Sequence, residues 1–250
     1  MWRLLRRCGI HYKRARSSIH SPDPDYQAKL ARIEQLKQRV QQSQGQEVLL
    51  FQDEMSYYRQ PSLSWAYEEA GSKAPLARRS RRYDDGTRGV GTLDAHSGRV
   101  LYWQGAKIGV SQLVSFYEQV CAAYPQARRI WLVQDNSFVH FHPDVLVALE
   151  AQQSPFPFLK GHNWPEQPSP RQAKKWAQRK LPIQLVQLPT YASWGNPIEK
   201  LWRKAKQEVI HLHSWADDLE TLRTRTQQFF AGFAHDSPDL LRSVGLHVPY

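Results

Sequence analysis

Apolar residues along the chain follow two patterns, one typical of helices and one typical of buried strands. Residues 26–43 carry apolar side chains at helical spacing, which predicts a polar helix that ends before Gly45. The preceding residues, 21–25, contain two prolines and are predicted to form a linker. Residues 1–20 are predicted to be the end of a small, basic, helical unit.

Short apolar runs predict the strands of a sheet. Residues 47–54, 128–136 and 183–189 each have the composition of a buried strand. Residues 89–96 and 99–105 are separated by a Ser-Gly turn and predict a β-hairpin.

Helices are predicted between and after these strands. Residues 111–125 are predicted to form a helix with Ser111 as its N-cap, and residues 142–152 a second one. Two more are predicted after the last strand, at 197–210 and 216–234. The order of elements predicts an α/β fold, a mixed sheet with helices on both faces.

Composition excludes several classes of protein. The chain has 250 residues, of which 41% are hydrophobic and 23% charged, as in a globular domain. Its two cysteines, Cys8 and Cys121, are far apart, which argues against a disulfide scaffold and a cysteine-built zinc site. The sequence lacks an apolar run long enough for a membrane helix, and its basic start lacks the apolar stretch of a signal peptide. We therefore expect a cytoplasmic protein without a membrane partner.

The distribution of charge indicates a polyanionic partner. Lys and Arg total 34 against 23 acids, a net charge of +11, and the excess is clustered. Clustered cations repel one another unless a polyanion lies nearby, which favours nucleic acid over a merely basic surface. Residues 153–182, a Pro-rich stretch predicted to be a long loop with one short helix, hold one such cluster. The candidate DNA-binding residues are Arg6, Arg7, Lys13, Arg14, Arg171, Lys174, Lys175, Arg179 and Lys180.

Carboxylates at the ends of predicted strands are the candidate chemistry. Asp53 and Asp135 each follow an apolar run, and Glu199 lies one turn into the helix after the third strand. Carboxylates gathered at one sheet edge repel one another unless a cation lies between them, and their oxygens suit Mg²⁺ or Mn²⁺. Two such ions can support phosphodiester chemistry. The simpler interpretation is that each acid caps a turn or a helix.

Other polar and aromatic residues have weaker functional interpretations. Glu54 follows Asp53 and is left out of the metal site, because successive strand residues point to opposite faces. His140 could position substrate or cap a helix, and the His-x-His pairs lack the ligands of a zinc site. Asn196 fits a helix N-cap better than a loop-fixing role. Trp194 is predicted to be a core residue, with base stacking as the alternative.

Three motifs resemble those of a known enzyme family. FQDE (51–54), VQDN (133–136) and LPTYASWGNPIEKLW (188–202) resemble the catalytic motifs of DDE transposases, specifically the bacterial insertion-sequence relatives of the mariner superfamily. The third motif is highly specific, and further similarity follows the first Asp, at Pro61, Trp65 and Gly71.

The resemblance implies a fold, a site and an activity. It implies an RNase H-like sheet of three antiparallel strands and then two parallel ones, with a short helical N-terminal extension. It also implies a catalytic and metal-binding triad of Asp53, Asp135 and Glu199 with two Mg²⁺ or Mn²⁺ ions. The implied function is cleavage of double-stranded DNA at transposon ends and strand transfer into target DNA, by a homodimer in the active complex.

The resemblance also suggests how the chain is divided into domains. Residues 1–25 are expected to be the tail of a helix-turn-helix region, 26–46 a connecting helix and 47–235 the catalytic domain, with an insertion at 153–182 and a C-terminal tail at 236–250. The insertion would explain why 63 residues separate Asp135 from Glu199.

Two alternatives to an active transposase stay open. A truncated or decayed copy would bind DNA or a partner protomer without cutting. An RNase H-like nuclease of repair or RNA processing would fit the triad but not the Asn-Pro-Ile-Glu motif.

Overall fold

A five-stranded mixed sheet forms the centre of the molecule. The computed structural model describes residues 2–9, 20–71, 73–161 and 163–246. The strands are β1 (Glu47–Tyr58), β2 (Gly86–Asp94), β3 (Val100–Gly105), β4 (Arg129–Gln134) and β5 (Ile183–Gln187). Their order across the sheet is β3-β2-β1-β4-β5. The first three strands are antiparallel neighbours, and β4 and β5 continue the sheet in parallel to β1. The predicted RNase H-like sheet is confirmed.

Strand β1 is longer than the sequence predicted, and this changes the position of Asp53. Its antiparallel pairing with β2 extends to Tyr58, whereas its parallel pairing with β4 ends at the Phe51–Val133 pair. The prediction that the strand stops at 54 is wrong, because β2 supplies hydrogen bonds for residues beyond it. Asp53 therefore lies inside a continuous strand, just past the end of its pairing with β4.

Helices cover both faces of the sheet, as predicted. The helices are α1 (Trp2–Arg7), α2 (Tyr26–Gln42), α3 (Val110–Ala123), α4 (Pro143–Leu146), α5 (Pro170–Lys175), α6 (Ile198–Ala205), α7 (Leu219–Ala231) and α8 (Pro238–Val244). A π-helical turn, Lys206–Ile210, extends α6. One core packs α2, α6, α7 and α8 against the sheet, and the other packs α3 and α4 against its opposite face.

Two of the predicted helices differ in detail. Helix α3 begins one residue earlier than predicted, with Gly109 rather than Ser111 at the N-cap position. Helix α4 ends at Leu146 instead of continuing to 152. It stops because Leu149 forms a parallel bridge with Leu181, in which the amide of Glu150 donates to the carbonyl of Leu181 at 3.0 Å.

Residues 153–182, the Pro-rich segment, pack against the sheet for part of their length. Phe158 stacks on Phe141 with 4.8 Å between the ring centroids. Gln187 of β5 donates to the carbonyl of Pro157 at 2.9 Å and accepts from the Ser154 hydroxyl at 2.8 Å. The segment thus extends the second core past the edge strand β5, and it contains the predicted short basic helix, α5.

The regions outside the predicted catalytic domain also contribute to the packing. Ile33, Leu36 and Val40 of α2 and Leu240 and Val244 of α8 are buried in the first core. The predicted tail 236–250 therefore includes a packed helix. Of the predicted helix-turn-helix remnant, residues 10–19 lie outside the described residues. Across the described residues, none of the helices has the length and apolar character that crossing a membrane requires.

Candidate active site

Asp53 is the most electrostatically perturbed acid in the sheet. Burial raises its pKa, and the nearby charges of Glu199 and Glu54 raise it further, to about 8. Two hydrogen bonds oppose this shift, one from the backbone amide of Glu54 and one from the Trp202 indole, whose Nε1–H donates to Asp53 Oδ2 at 2.9 Å. The hydrogen-bond donors around Asp53 therefore do not offset the negative charge that gathers there. A bound cation would offset it.

Trp202 can reach Asp53 because the neighbouring strand carries a glycine. Gly91 of β2 is paired with Asp53 in the antiparallel ladder. A Cβ atom at this position would lie 2.7 Å from the Trp202 ring, closer than packed atoms tolerate. The indole is only 2% exposed, so it shields one side of the Asp53 carboxylate from water.

Asp135 has a different set of neighbours from Asp53. His140 Nε2 lies 3.4 Å from Asp135 Oδ1 and 3.4 Å from Glu54 Oε1. At these distances the three groups form ion pairs rather than short, aligned hydrogen bonds. The ligand atoms of Glu54, Asp135 and His140 lie within 4.8 Å of one another, close enough to bind one metal ion. His140 is completely buried, whereas the side chain of Asp135 is 49% exposed.

The pKa shifts in this second cluster show which charges stabilise one another. Burial alone would lower the pKa of His140, but the charges and hydrogen-bonding capacity of Glu54 and Asp135 raise it to about 9. Burial would likewise raise the pKa of Asp135, but His140 and the backbone amide of Ser137 lower it below its ordinary value. A protonated His140 thus supplies the positive charge that keeps two carboxylates close in the metal-free protein.

Two asparagines connect the loop that precedes Glu199 to the strands that carry the aspartates. Asn196 Nδ2 donates to the carbonyl of Gln52 at 2.9 Å, one residue before Asp53. Asn136, which follows Asp135, donates to the carbonyl of Leu188 at 2.8 Å. The predicted N-cap role of Asn196 is wrong, because Pro197 occupies the N-cap position of α6 and Asn196 bonds across the sheet instead.

The structure brings the three predicted acids to one region but gives them different partners. Asp53 and Glu199 are near enough for the charge of Glu199 to raise the pKa of Asp53. Asp135 is paired with His140 and lies near Glu54. The triad of Asp53, Asp135 and Glu199 stays a prediction.

Sequence reasoning left out Glu54, which lies in the same cluster as Asp135. Strand alternation places Glu54 and Asp53 on opposite faces of β1, and the pairing of Phe51 with Val133 would place Asp135 on the face of Asp53 if β4 continued. However, β4 ends at Gln134, so alternation no longer fixes the direction of the next side chain. Asp135 Oδ1 instead accepts from the amide of Ser137 at 2.9 Å, in a turn that brings it to His140.

The donor set in this region fits a hard divalent cation. The two clusters described above contain four carboxylates, those of Asp53, Glu54, Asp135 and Glu199. Oxygen ligands of this kind suit Mg²⁺ and Mn²⁺. A zinc site is less suitable, since other members of the His-x-His pairs are bonded elsewhere: His142 accepts from the amide of Asp144 at 3.1 Å, and His211 contacts the Ser62 hydroxyl at 2.7 Å.

The structure describes seven of the nine predicted DNA-binding residues. All five basic residues between 171 and 180 are exposed, as are Arg6 and Arg7, whereas Lys13 and Arg14 lie outside the described residues. Lys175 pairs with Glu118 at 3.0 Å, and Lys180 donates to the carbonyl of Val147. The end of this block leads into the amino end of β5, opposite the sheet edge that carries the acids. DNA binding by these residues stays a prediction.

Exposed aromatic side chains lie on the loop between β5 and α6. Trp194, predicted to be a core residue, is 48% exposed, and Tyr191 is 77% exposed. The core prediction for Trp194 is therefore wrong. Trp194 lies on a short 3₁₀ turn, Ser193–Gly195, just before α6 begins.

The order and directions of the five strands define the fold as RNase H-like. The chain matches the model of the DDE superfamily endonucleases over residues 48–223 and belongs to that family.

Individual relatives are more distant. The chain is 18% identical over 223 residues to the "Insertion element IS630 uncharacterized 39 kDa protein" of Shigella sonnei, covering 88% of this chain and 55% of that protein. It thus spans about half the length of this relative. The Mos1 mariner paired end complex with Mn is similar in structure, with a TM-score of 0.56, 15% identity, and coverage of 98% of this chain and 65% of that chain. The Mos1 strand transfer complex gives a TM-score of 0.55 at 14% identity, covering 98% of this chain and 64% of that one. At these identities the similarity concerns the fold.

Proposed function

We propose that this chain is the catalytic part of a transposase that cuts double-stranded DNA at transposon ends and joins them to target DNA. The observation that carries the proposal is the buried Asp53 carboxylate, whose pKa is raised to about 8 beside Glu199 in a DDE endonuclease fold. The transposition chemistry of the structural relatives, which include a paired end complex and a strand transfer complex of Mos1, supports it.

In this proposal Asp53, Asp135 and Glu199 hold two divalent cations, Mg²⁺ or Mn²⁺. The bound ions would supply a more acidic water and would neutralise charge on the phosphodiester and its leaving oxygen. The chain's own residues orient this site. Trp202 fixes one oxygen of Asp53, and His140 together with the Ser137 amide fixes Asp135. Asn196 ties the turn before Glu199 to the strand of Asp53.

The reaction proceeds in two displacements at phosphorus. In the first, water attacks the phosphodiester at the transposon end, and the bond to the 3′ oxygen breaks to leave a free 3′-hydroxyl. In the second, that hydroxyl attacks a target phosphodiester and a target 3′ oxygen leaves. Exposed cations at 171–180 and near the N-terminus would contact the DNA backbone, since clustered charge without fixed geometry does not read bases. A second copy of the chain would hold the other transposon end.

Cleavage of a labelled duplex tests this proposal. The duplex carries the inverted repeat that flanks the coding sequence, and reactions are run with Mg²⁺, with Mn²⁺ and with EDTA. The parent chain is expected to release a 3′-hydroxyl product only with a divalent ion. Glu199→Gln should abolish cleavage and keep DNA binding, because the basic surface is untouched. Glu208→Gln, an exposed acid just beyond α6, is the matched control and should cleave normally.

Two results would contradict the proposal. Unchanged cleavage by Glu199→Gln would remove Glu199 from the site. Binding without cleavage by the parent chain in every metal would favour the non-catalytic alternative, a copy that binds DNA or a partner protomer.

A further inference from the structure

A buried ion pair lies outside the carboxylate clusters, where the linker enters helix α2. Lys29 Nζ lies 2.7 Å from Asp23 Oδ2, and the two residues are only 7% and 9% exposed. Removing two charges from water is costly, and a buried pair of this kind seldom adds net stability over apolar side chains. Such pairs are better explained by the geometry that they fix, so the other partners of Asp23 are informative.

The linker holds both backbone polar groups of a single residue in the active-site loop. The amide of Thr190 donates to Asp23 Oδ2 at 2.7 Å, and the Ser21 hydroxyl donates to the carbonyl of Thr190 at 2.5 Å. Asp23 Oδ1 accepts from the amide of Asp25 at 2.9 Å, which fixes the carboxylate itself. We call Ser21, Asp23 and Lys29 the linker anchor.

Thr190 lies at the start of the loop that leads from β5 to α6 and Glu199. The next residue, Tyr191, has a φ of +54°, a left-handed conformation that is strained for a bulky residue. Such a conformation persists only where its surroundings impose it, and the linker anchor bonds the residue immediately before it. The loop is thus held by the anchor near its start and by Asn196 at its end, where Asn196 bonds the strand of Asp53.

The anchor also contacts the Pro-rich segment. Lys29 Nζ lies 5.3 Å from the centroid of the Phe156 ring, and Arg32, one turn further along α2, donates to the carbonyl of Gln153 at 3.1 Å. The linker and the active-site loop therefore meet at the Asp23 carboxylate, and the Pro-rich segment packs beside its partner Lys29. A change in the path of the chain before α2 would displace that carboxylate and the loop bonded to it.

We propose that the linker anchor positions the loop that leads to Glu199, so that Asp23 is a positioning residue for catalysis rather than a catalytic residue. The expected change in cleavage rate rests on the proposed function. The linker anchor makes the active-site geometry depend on the segment that precedes α2, through Asp23 and Thr190. A displacement of about 1 Å in a catalytic group can cost on the order of 100-fold in rate, which sets the scale of the effect.

The test compares alanine and asparagine variants of Asp23 in the full chain. Asp23→Ala removes both acceptor oxygens, whereas Asp23→Asn retains one for the Thr190 amide. Asp25→Ala is the matched control, because the described bonds between Asp25 and the anchor use its backbone amide and carbonyl and not its side chain. We expect the kcat of end cleavage to fall roughly 10- to 100-fold for Asp23→Ala and less for Asp23→Asn, with the affinity for DNA unchanged. The Mg²⁺ concentration for half-maximal rate should rise for Asp23→Ala and stay at the parent value for Asp25→Ala.

A double variant separates positioning from stability. Asp23→Ala leaves Lys29 buried without its partner, which destabilises the fold, whereas Asp23→Ala/Lys29→Met replaces both charges by apolar groups and should recover the melting temperature. The proposal requires that kcat stays low in the double variant, because the Thr190 amide still lacks its acceptor. Recovery of both melting temperature and kcat would overturn it, as would parental kcat and metal dependence in Asp23→Ala.

Hydrogen exchange keeps the inference separate from the proposed activity. Faster exchange of the amides in residues 189–197 in Asp23→Ala, but not in Asp25→Ala, would support the anchor even if the parent chain did not cleave DNA. That combination would count against the proposed function alone. Unchanged exchange in this loop would overturn the anchor.

Discussion

Replacing Asp53 by asparagine should stabilise the metal-free protein while abolishing its activity. The carboxylate is buried beside Glu199 and Glu54, and these effects raise its pKa from an ordinary 3.8 to about 8. An acid whose pKa is higher in the folded state favours folding when protonated. Its penalty is therefore absent below about pH 4, grows as the pH rises, and is complete above about pH 8.

The size of the effect follows from the same shift. Each unit of pKa difference corresponds to about 1.4 kcal/mol, and pH 7 lies about three units above the ordinary pKa, so the penalty there is at most about 4 kcal/mol. Side-chain relaxation and water entry reduce such penalties, and we expect Asp53→Asn to gain about 2 kcal/mol at pH 7. For a chain of this size that corresponds to a rise of about 4 to 8 °C in Tm. The amide oxygen can still accept from Trp202, so the variant keeps that bond.

Thermal unfolding in EDTA between pH 4 and pH 8 measures this prediction. The Tm difference between Asp53→Asn and the parent should shrink towards pH 4. Glu34→Gln, an exposed acid on α2, removes the same charge and should shift stability by less than about 0.5 kcal/mol. Added Mg²⁺ should raise the Tm of the parent more than that of the variant, because only the parent keeps the full ligand set. An unchanged or lower Tm for Asp53→Asn at pH 7 would refute the argument that uncompensated charge accumulates at this position.

Three further outcomes follow from the structure. Glu199→Asp should keep more cleavage activity with Mn²⁺ than with Mg²⁺, because Mg²⁺ tolerates less distortion of its octahedral shell; equal losses in both metals would count against a ligand role. Replacing Lys174, Lys175 and Arg179 with alanine should weaken binding to all duplexes about equally, as measured by fluorescence anisotropy. The slope of log K against log salt concentration should fall in magnitude by about 0.9 for each phosphate that is no longer neutralised. Sequence-selective weakening would contradict binding to the DNA backbone. Gly91→Ala should cost roughly 1–3 kcal/mol of unfolding free energy, since the new methyl group meets the indole that bonds Asp53; an unchanged Tm would show that the indole moves freely.

The sheet and most of its helices could be predicted from the sequence, because each element has its own apolar pattern. The strands β4 and β5 and the hairpin of β2 and β3 are bounded within a few residues of their predicted ends. The end of β1 was not predictable in this way. Residues 53–58 are held by pairing with β2, and pairing between distant residues leaves no mark in the local pattern.

The partners of the candidate catalytic acids were less predictable than the acids themselves. The motifs single out Asp53, Asp135 and Glu199, but they give His140 only a general role and leave Glu54 outside the site. Asp135 comes to both of them through a turn after β4, in which its carboxylate accepts from the Ser137 amide. Trp202 lies within the third motif, yet its bond to Asp53 requires the space left by Gly91 on another strand.

The unequal pairing of β1 explains how Asp53 is held rigidly beside an open edge of the sheet. Its backbone is paired with β2 on one side, which fixes the carboxylate more firmly than a strand end or a loop would. On the other side the pairing with β4 has already ended, so the chain after β4 is free to turn and bring Asp135 and His140 to the same edge. The loop to Glu199 then crosses this gap and bonds Gln52 through Asn196. A strand that continues past its parallel neighbour thus provides a rigid central acid together with room for side chains from two other segments.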